Sequence, residues 1–175
     1  MRRCSLFVVI VLGFSAAVTR AADKEKLTVV DYFLLLPEKT FEAPAKAWLQ
    51  NAEIDKQNGY MEVSGNGAQP SFQIALFRYR DSRPLLAIYS GALEGDDSVA
   101  LEFYQLGTDG KMHKAPRKIF PIGDQGSSGE YEAKCEDFRF ELPRRGRTIL
   151  VRSAKSKKIL HKVMWNGEQF RKENR

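Results

Sequence analysis

The chain has 175 residues, with 28 lysines and arginines against 22 aspartates and glutamates, a formal charge of +6. Its apolar content of 43% is too high for a wholly disordered chain, and its 13 glycines and seven prolines follow no collagen-like period. Two cysteines cannot build a disulfide scaffold, so the stability of the fold must come from a hydrophobic core.

Residues 1–22 read as an address. Arg2 and Arg3 precede an apolar run over 6–14, and small residues follow at Ser15, Ala16, Ala17, Thr19, Ala21 and Ala22. This is the layout of a cleavable secretory signal peptide, with cleavage after Ala21 or after Ala17. The run is shorter than the roughly 20 residues a membrane span needs, so no stable span is expected after cleavage. Cys4 precedes the apolar run, which argues against a lipoprotein anchor. The expectation is a secreted or periplasmic protein. Without residues 1–22 the chain keeps 25 basic and 22 acidic residues, a net of +3, and Cys135 becomes its lone thiol. Residues 23–175 are expected to form a single β-rich domain preceded by a helical segment over about 27–52.

In that segment Leu27, Val30, Phe33 and Leu34 make a helical stripe, widened by Val29, Tyr32 and Leu36 and ended by Pro37. A second helix is expected over 44–52, with Pro44 at its start and Ala45, Trp48, Leu49 and Ala52 on one face. After Ile54 the pattern changes to period two. Asn58-Gly59 signals a turn into Tyr60–Val63. Phe72, Ile74 and Leu76 then alternate with Gln73, Ala75 and Phe77, so both faces are largely apolar, which suits a central strand. Residues 80–83 turn the chain into a strand over 85–89. Leu101 and Phe103 alternate with Glu102 and Tyr104, as in a half-buried strand. Gly107 to Gly110 closes another hairpin, and the Gly- and Ser-rich stretch 121–130 reads as a loop.

The last third is the clearest. Phe138, Phe140 and Leu142 point one way, and Arg139 and Glu141 the other. Ile149 and Val151 alternate with Thr148, Leu150 and Arg152; Ile159, His161, Val163 and Trp165 share a face; Asn166-Gly167 opens a last hairpin into Phe170. Strands joined by short turns pair antiparallel, because parallel pairing needs long crossovers. The expected fold is mainly β (α+β): an antiparallel meander or partly closed barrel of about eight strands, with one or two N-terminal helices.

No chemical motif stands out. His113, Cys135 and His161 have no metal-ligand spacing, so no metal is expected. His113 reads as an exposed loop residue and His161 as a boundary residue on a strand. Glu94, Asp96 and Asp97 form a small acidic loop, read as a solvated turn. Ser127-Ser128-Gly129 is loop composition and not a nucleophile elbow, and no glycine spacing cradles a phosphate, so no cofactor is expected.

Charge distribution is more informative. Residues 23–110 hold 8 basic and 14 acidic residues, a net of −6, whereas 111–175 hold 17 and 8, a net of +9. Arg144, Arg145 and Arg147 bracket Gly146 in one turn, and Lys155, Lys157 and Lys158 fill the next. In a meander these turns fall at opposite ends, with Arg152 on the strand between them. These seven residues are the candidate anion site, facing an acidic envelope polymer or an acidic protein surface. Export disfavours nucleic acid. Basic turns also guard strands against edge-to-edge association, and the basic hairpins could instead pack near the acidic half. The expected role is non-catalytic, in binding or envelope structure. The alternatives are an envelope hydrolase or transferase with carboxylates assembled in space, and a small-ligand carrier of barrel type.

Overall fold

Three layers make up the computed structural model, which describes residues 26–41, 43–65, 71–91, 100–122 and 138–173. The signal-peptide segment, the acidic loop at 94–97, most of the stretch 121–130 and Cys135 lie outside the described residues.

The middle layer is a six-stranded antiparallel sheet of consecutive strands: β1 (Ala52–Asp55), β2 (Tyr60–Val63), β3 (Ser71–Arg78), β4 (Pro84–Gly91), β5 (Ala100–Leu106) and β6 (Met112–Lys114). A second sheet stacks against it, built from β7 (Phe138–Glu141), β8 (Thr148–Ser153), β9 (Ile159–Trp165) and β10 (Phe170–Lys172), again in sequence order. A short helical segment covers the other face: α1 (Val29–Leu34), α2 (Ala45–Trp48) and two single turns of 3-10 helix, Glu38–Thr40 and Leu49–Asn51. The expected mainly-β meander with N-terminal helices is thus the observed fold. Among the described residues β1 and β6 end the first sheet and β7 and β10 the second, and neither sheet closes on itself.

Alternation along the middle strands creates two cores. Ala75, Phe77, Leu85, Ala87, Leu101 and Phe103 face the second sheet, which answers with Phe138, Phe140, Ile149, Val151, Val163, Trp165 and Phe170. Trp165 sits at the centre, its ring centroid 4.8 Å from Phe170 and 5.1 Å from Tyr79, and its indole N–H donates to the Arg78 carbonyl at 2.8 Å. On the opposite face Met61, Val63, Phe72, Ile74, Leu86, Ile88 and Tyr104 meet Val29, Tyr32, Phe33 and Trp48 of the helical layer. Phe72 anchors this contact, with Phe41 at 4.8 Å and Trp48 at 5.3 Å. On β5 Leu101 and Phe103 are buried toward the second sheet, and on the other face Tyr104 is buried under the helical layer while Glu102 stays half-buried.

Local chemistry sets the boundaries. The backbone N–H and hydroxyl of Thr28 both donate to Asp31, each at 2.7 Å, which closes the first turn of α1. The helix stops at Leu34, and the Leu35 carbonyl accepts from Met112 N–H at 3.0 Å, tying the helical layer to β6. The second helix is shorter than expected: it gives way after Trp48 to a 3-10 turn, and Ala52 already pairs with Val63 as a strand residue. Strand β9 carries a bulge. Val151 pairs with His161 but Arg152 with Ile159, leaving Leu160 as the extra residue. Leu160 therefore packs on the core, while Ile159, expected inside, turns outward at 38% exposure. His113, expected in a loop, lies on edge strand β6.

Gly59 shows what the turns require. It has φ +68°, and a Cβ there would lie 3.1 Å from Leu76 Cβ on β3. We expect Gly59→Ala to lower stability by about 1–2 kcal/mol, and Trp165→Ala by about 3–5 kcal/mol through the cavity left in the inter-sheet core. Urea unfolding checks both; a wild-type midpoint for Trp165→Ala would contradict the packing described.

Candidate functional site

The seven basic residues singled out by sequence fall at three places along β8. Arg144, Arg145 and Arg147 lie in the β7–β8 connection, where Gly146 supplies the left-handed conformation with φ +86°. Lys155, Lys157 and Lys158 lie in the β8–β9 connection at the other end of the strand, where Lys157 adopts φ 58° and its N–H donates to the Ser153 carbonyl at 3.0 Å. At about 3.3 Å per residue, the six residues of β8 separate the two clusters by roughly 20 Å. Arg152 stands between them on the outer face.

These residues do not have equal freedom. Arg144 ion-pairs with Glu53, lies 3.7 Å from Asp55, and stacks its guanidinium 5.6 Å from the Tyr60 ring. It is a stitch between the acidic first sheet and the basic second one. Arg152 donates to Glu141 at 2.7 Å and to the Lys157 carbonyl at 3.2 Å. Arg145, Arg147, Lys155, Lys157 and Lys158 are exposed and form no ion pair with a described residue.

The sheet adds cations outside those seven. Arg139, Lys162 and Arg171 are exposed on the outer faces of β7, β9 and β10 and also lack ion pairs with described residues. Arg139 pairs in register with Arg152, a like-charge juxtaposition that, among the described residues, Glu141 offsets through Arg152. Across residues 138–173 there are 11 basic and three acidic residues. Glu168 is engaged by Arg80 at 3.2 Å, outside this layer. The alternation that buries Phe138, Phe140, Ile149 and Val151 is what places this charge on one side.

Two clefts flank the inter-sheet boundary. One, of about 310 Å³, opens where the residues before α1, the β1–β2 turn, the end of β3 and the β7–β8 turn converge; Lys26, Lys56, Arg78 and Arg147 line it above Leu76 and Trp165. Its cations come from four separate segments, so no local motif announces it. The other, of about 410 Å³, runs past Tyr60, Gln73, Glu141 and Arg144. Behind it Gln73 accepts from Leu142 N–H at 3.0 Å and donates to Glu62 at 3.4 Å, while Tyr60 donates to the same carboxylate at 3.1 Å. Among the described residues, neither cleft is lined by two carboxylates.

Elsewhere titratable groups are paired locally. His113 bonds Asp109 at 2.9 Å on the β5–β6 hairpin. Burial opposes ionisation of Glu102, but hydrogen bonds from Lys114 and Tyr104 outweigh it and hold the carboxyl below its usual range. Among the described residues no group of three or more His, Cys, Asp or Glu gathers to hold a metal, and no helix is long and apolar enough to cross a membrane.

Burial, then the neighbouring carboxylates Glu62 and Glu102, push the Tyr60 and Tyr104 hydroxyls well above the ordinary tyrosine range. A raised folded value favours the neutral form, so its stabilisation is present below the unfolded value of about 10 and is lost as pH rises beyond it. Unfolding midpoints should therefore stay level between about pH 7 and 9 and fall above about pH 10. The double variant Tyr60→Phe/Tyr104→Phe should soften that fall; an unchanged alkaline slope would contradict it.

No protein-family profile and no curated protein sequence matches the chain. Among solved structures, the chain is similar to a domain of an uncharacterised protein from Porphyromonas gingivalis W83, with 12% identity and a TM-score of 0.55, over 84% of this chain and 98% of that one. The likeness is one of fold: the same layered arrangement occurs as a domain in a protein of very different sequence.

Proposed function

We propose that the chain is an exported, non-catalytic β-sandwich domain that binds an extended acidic polymer across the outer face of its second sheet. The observation that carries this reading is the set of eight exposed cations, Arg139, Arg145, Arg147, Lys155, Lys157, Lys158, Lys162 and Arg171, with no ion pair to a described residue. They run from one turn, along the sheet, to the other. Solvated edge protection would need only scattered charges at the rims. Here the strand faces carry them too, and Arg139 stands opposite Arg152 at an electrostatic cost that a bound polyanion relieves. A linear polymer suits a strip about one strand long with a cationic turn at each end. Met164 and Leu150, beside Arg171 and Lys162 across the ladders, give the strip an apolar contact for the polymer backbone. Export rests on the layout of residues 1–22 and the small residues at Thr19 and Ala21.

Retention on immobilised polygalacturonate tests the binding. The protein should be held at low salt and released as salt rises past about 0.1–0.2 M, where surface charges are screened. Lys155→Glu/Lys157→Glu together with Lys162→Glu should abolish retention without moving the thermal midpoint. Wild-type retention by that variant, or retention indifferent to salt, would overturn the reading. N-terminal sequencing of the protein recovered from its native cells tests export: a start at Ala22 or Val18 is expected, and a start at Met1 or Arg2 would contradict it.

A further inference from the structure

We infer that the cleft at Lys26, Lys56, Arg78 and Arg147 binds the phosphoryl group of a small phosphorylated molecule, at a site that shares Arg147 but none of the other seven cations with the polymer-binding face. All four cations line one concavity of about 310 Å³, and among the described residues no carboxylate side chain lines it. Like charges gathered in this way repel one another. The described acids nearby form no ion pair with these four cations. Asp31 interacts electrostatically with Lys56, but its Oδ2 accepts from both the N–H and the hydroxyl of Thr28. Asp55, at the end of β1, accepts from the backbone and side chain of Asn58 and faces Arg144.

Arg78 is built into the site. It is half-buried at the end of β3 and donates to the Leu27 carbonyl at 3.0 Å and the Ser82 carbonyl at 3.2 Å, with its guanidinium 5.7 Å from the Tyr32 ring. Backbone carbonyls hold it in place without neutralising it. Of the five N–H donors of a guanidinium, three remain without a described partner, enough for a bidentate contact to an oxyanion. Its own carbonyl is fixed by the Trp165 indole N–H, so the strand end is anchored from the core side. Leu76 and Trp165 give the cleft an apolar floor, where charge interactions are stronger than in bulk water.

Charge and size select the ligand. A carboxylate brings one negative charge, whereas a phosphomonoester brings about 1.5–2 on one centre with three acceptor oxygens, a better match to four cations. The volume stands at the low end of small-molecule sites, which are roughly 300–1,000 Å³. It admits a phosphoryl group with a small body attached, such as a sugar.

The two tryptophan indoles provide the test. Trp165 lines the cleft, while Trp48 lies in the helical layer, bonded to the Ala43 carbonyl. In 1H–15N NMR spectra of the full chain, glucose 6-phosphate should shift the Trp165 indole signal saturably and leave that of Trp48 in place. Inorganic phosphate should act in the same direction but more weakly, and glucose or chloride at matched ionic strength should have no effect. Lys56→Glu/Arg147→Glu should weaken glucose 6-phosphate binding by about tenfold or more; both side chains are exposed, so the fold should tolerate the change. Lys155→Glu/Lys157→Glu should leave this binding intact while weakening polymer retention, which keeps the two sites distinguishable. Absence of a saturable Trp165 shift, equal binding of succinate, inorganic phosphate binding at least as tightly as glucose 6-phosphate, or indifference to Lys56→Glu/Arg147→Glu would each overturn the assignment.

Discussion

A six-stranded sheet with apolar side chains on both faces cannot leave either face in water, and the rest of the molecule answers that constraint. Phe72, Ile74, Leu86 and Ile88 demand a cover on one side; Ala75, Phe77, Leu85 and Phe103 demand one on the other. The chain supplies the first from residues before the sheet and the second from residues after it. The helical cover can be short and irregular because Phe33, Phe41 and Trp48 cluster around a single ring, Phe72. The sheet cover must be regular, because its inward residues have to match a pleated surface over its whole area. Regularity on the inside enforces regularity on the outside, and the outside is where the basic residues stand.

Among the polar contacts that link the two sheets, three lie at the clefts. Trp165 donates to the Arg78 carbonyl, Leu142 donates to the Gln73 side chain, and Arg144 joins Glu53 and Asp55. The first two satisfy partly buried groups that would otherwise be unpaired, at a cost of about 1–3 kcal/mol each. The third is an exposed ion pair and adds little to stability. Its consequence is positional: it holds the β7–β8 turn against β1, beside the β1–β2 turn, and so brings Arg147 into the same cleft as Lys56 and Arg78. Arg144 is thus engaged internally, as Arg152 is with Glu141, and the Arg144 contact helps to form a concavity that Arg147 lines with Lys26, Lys56 and Arg78.

What could be read from the sequence follows from which signals are local. The strands expected from alternation and from turn signals recur in the structure. β1 and β6, which the sequence marks only by the turns beside them, are the edges of the first sheet. Each has one neighbour, three or four residues and mostly exposed side chains, so neither shows a period. Ile159 was placed on the wrong face because the bulge at Leu160 breaks the count, and nothing in the residues around it marks that break. The two basic turns were legible because their members adjoin in sequence. The fate of Arg144 was not, because its partner Glu53 lies 91 residues away. The cationic cleft was invisible for the same reason, being assembled from positions 26, 56, 78 and 147.

The chain therefore couples a charge-polarised sequence to a layered fold that displays its basic part on one face. The most direct measurement is a chemical-shift map of the protein titrated with oligogalacturonate. The account predicts perturbation of backbone amides at Arg139, Arg152 and Lys162 and in both turns flanking β8, with the strands of the six-stranded sheet unaffected. Shifts centred on β1 to β6, or none at an oligomer concentration that saturates an anion-binding site of micromolar affinity, would contradict it.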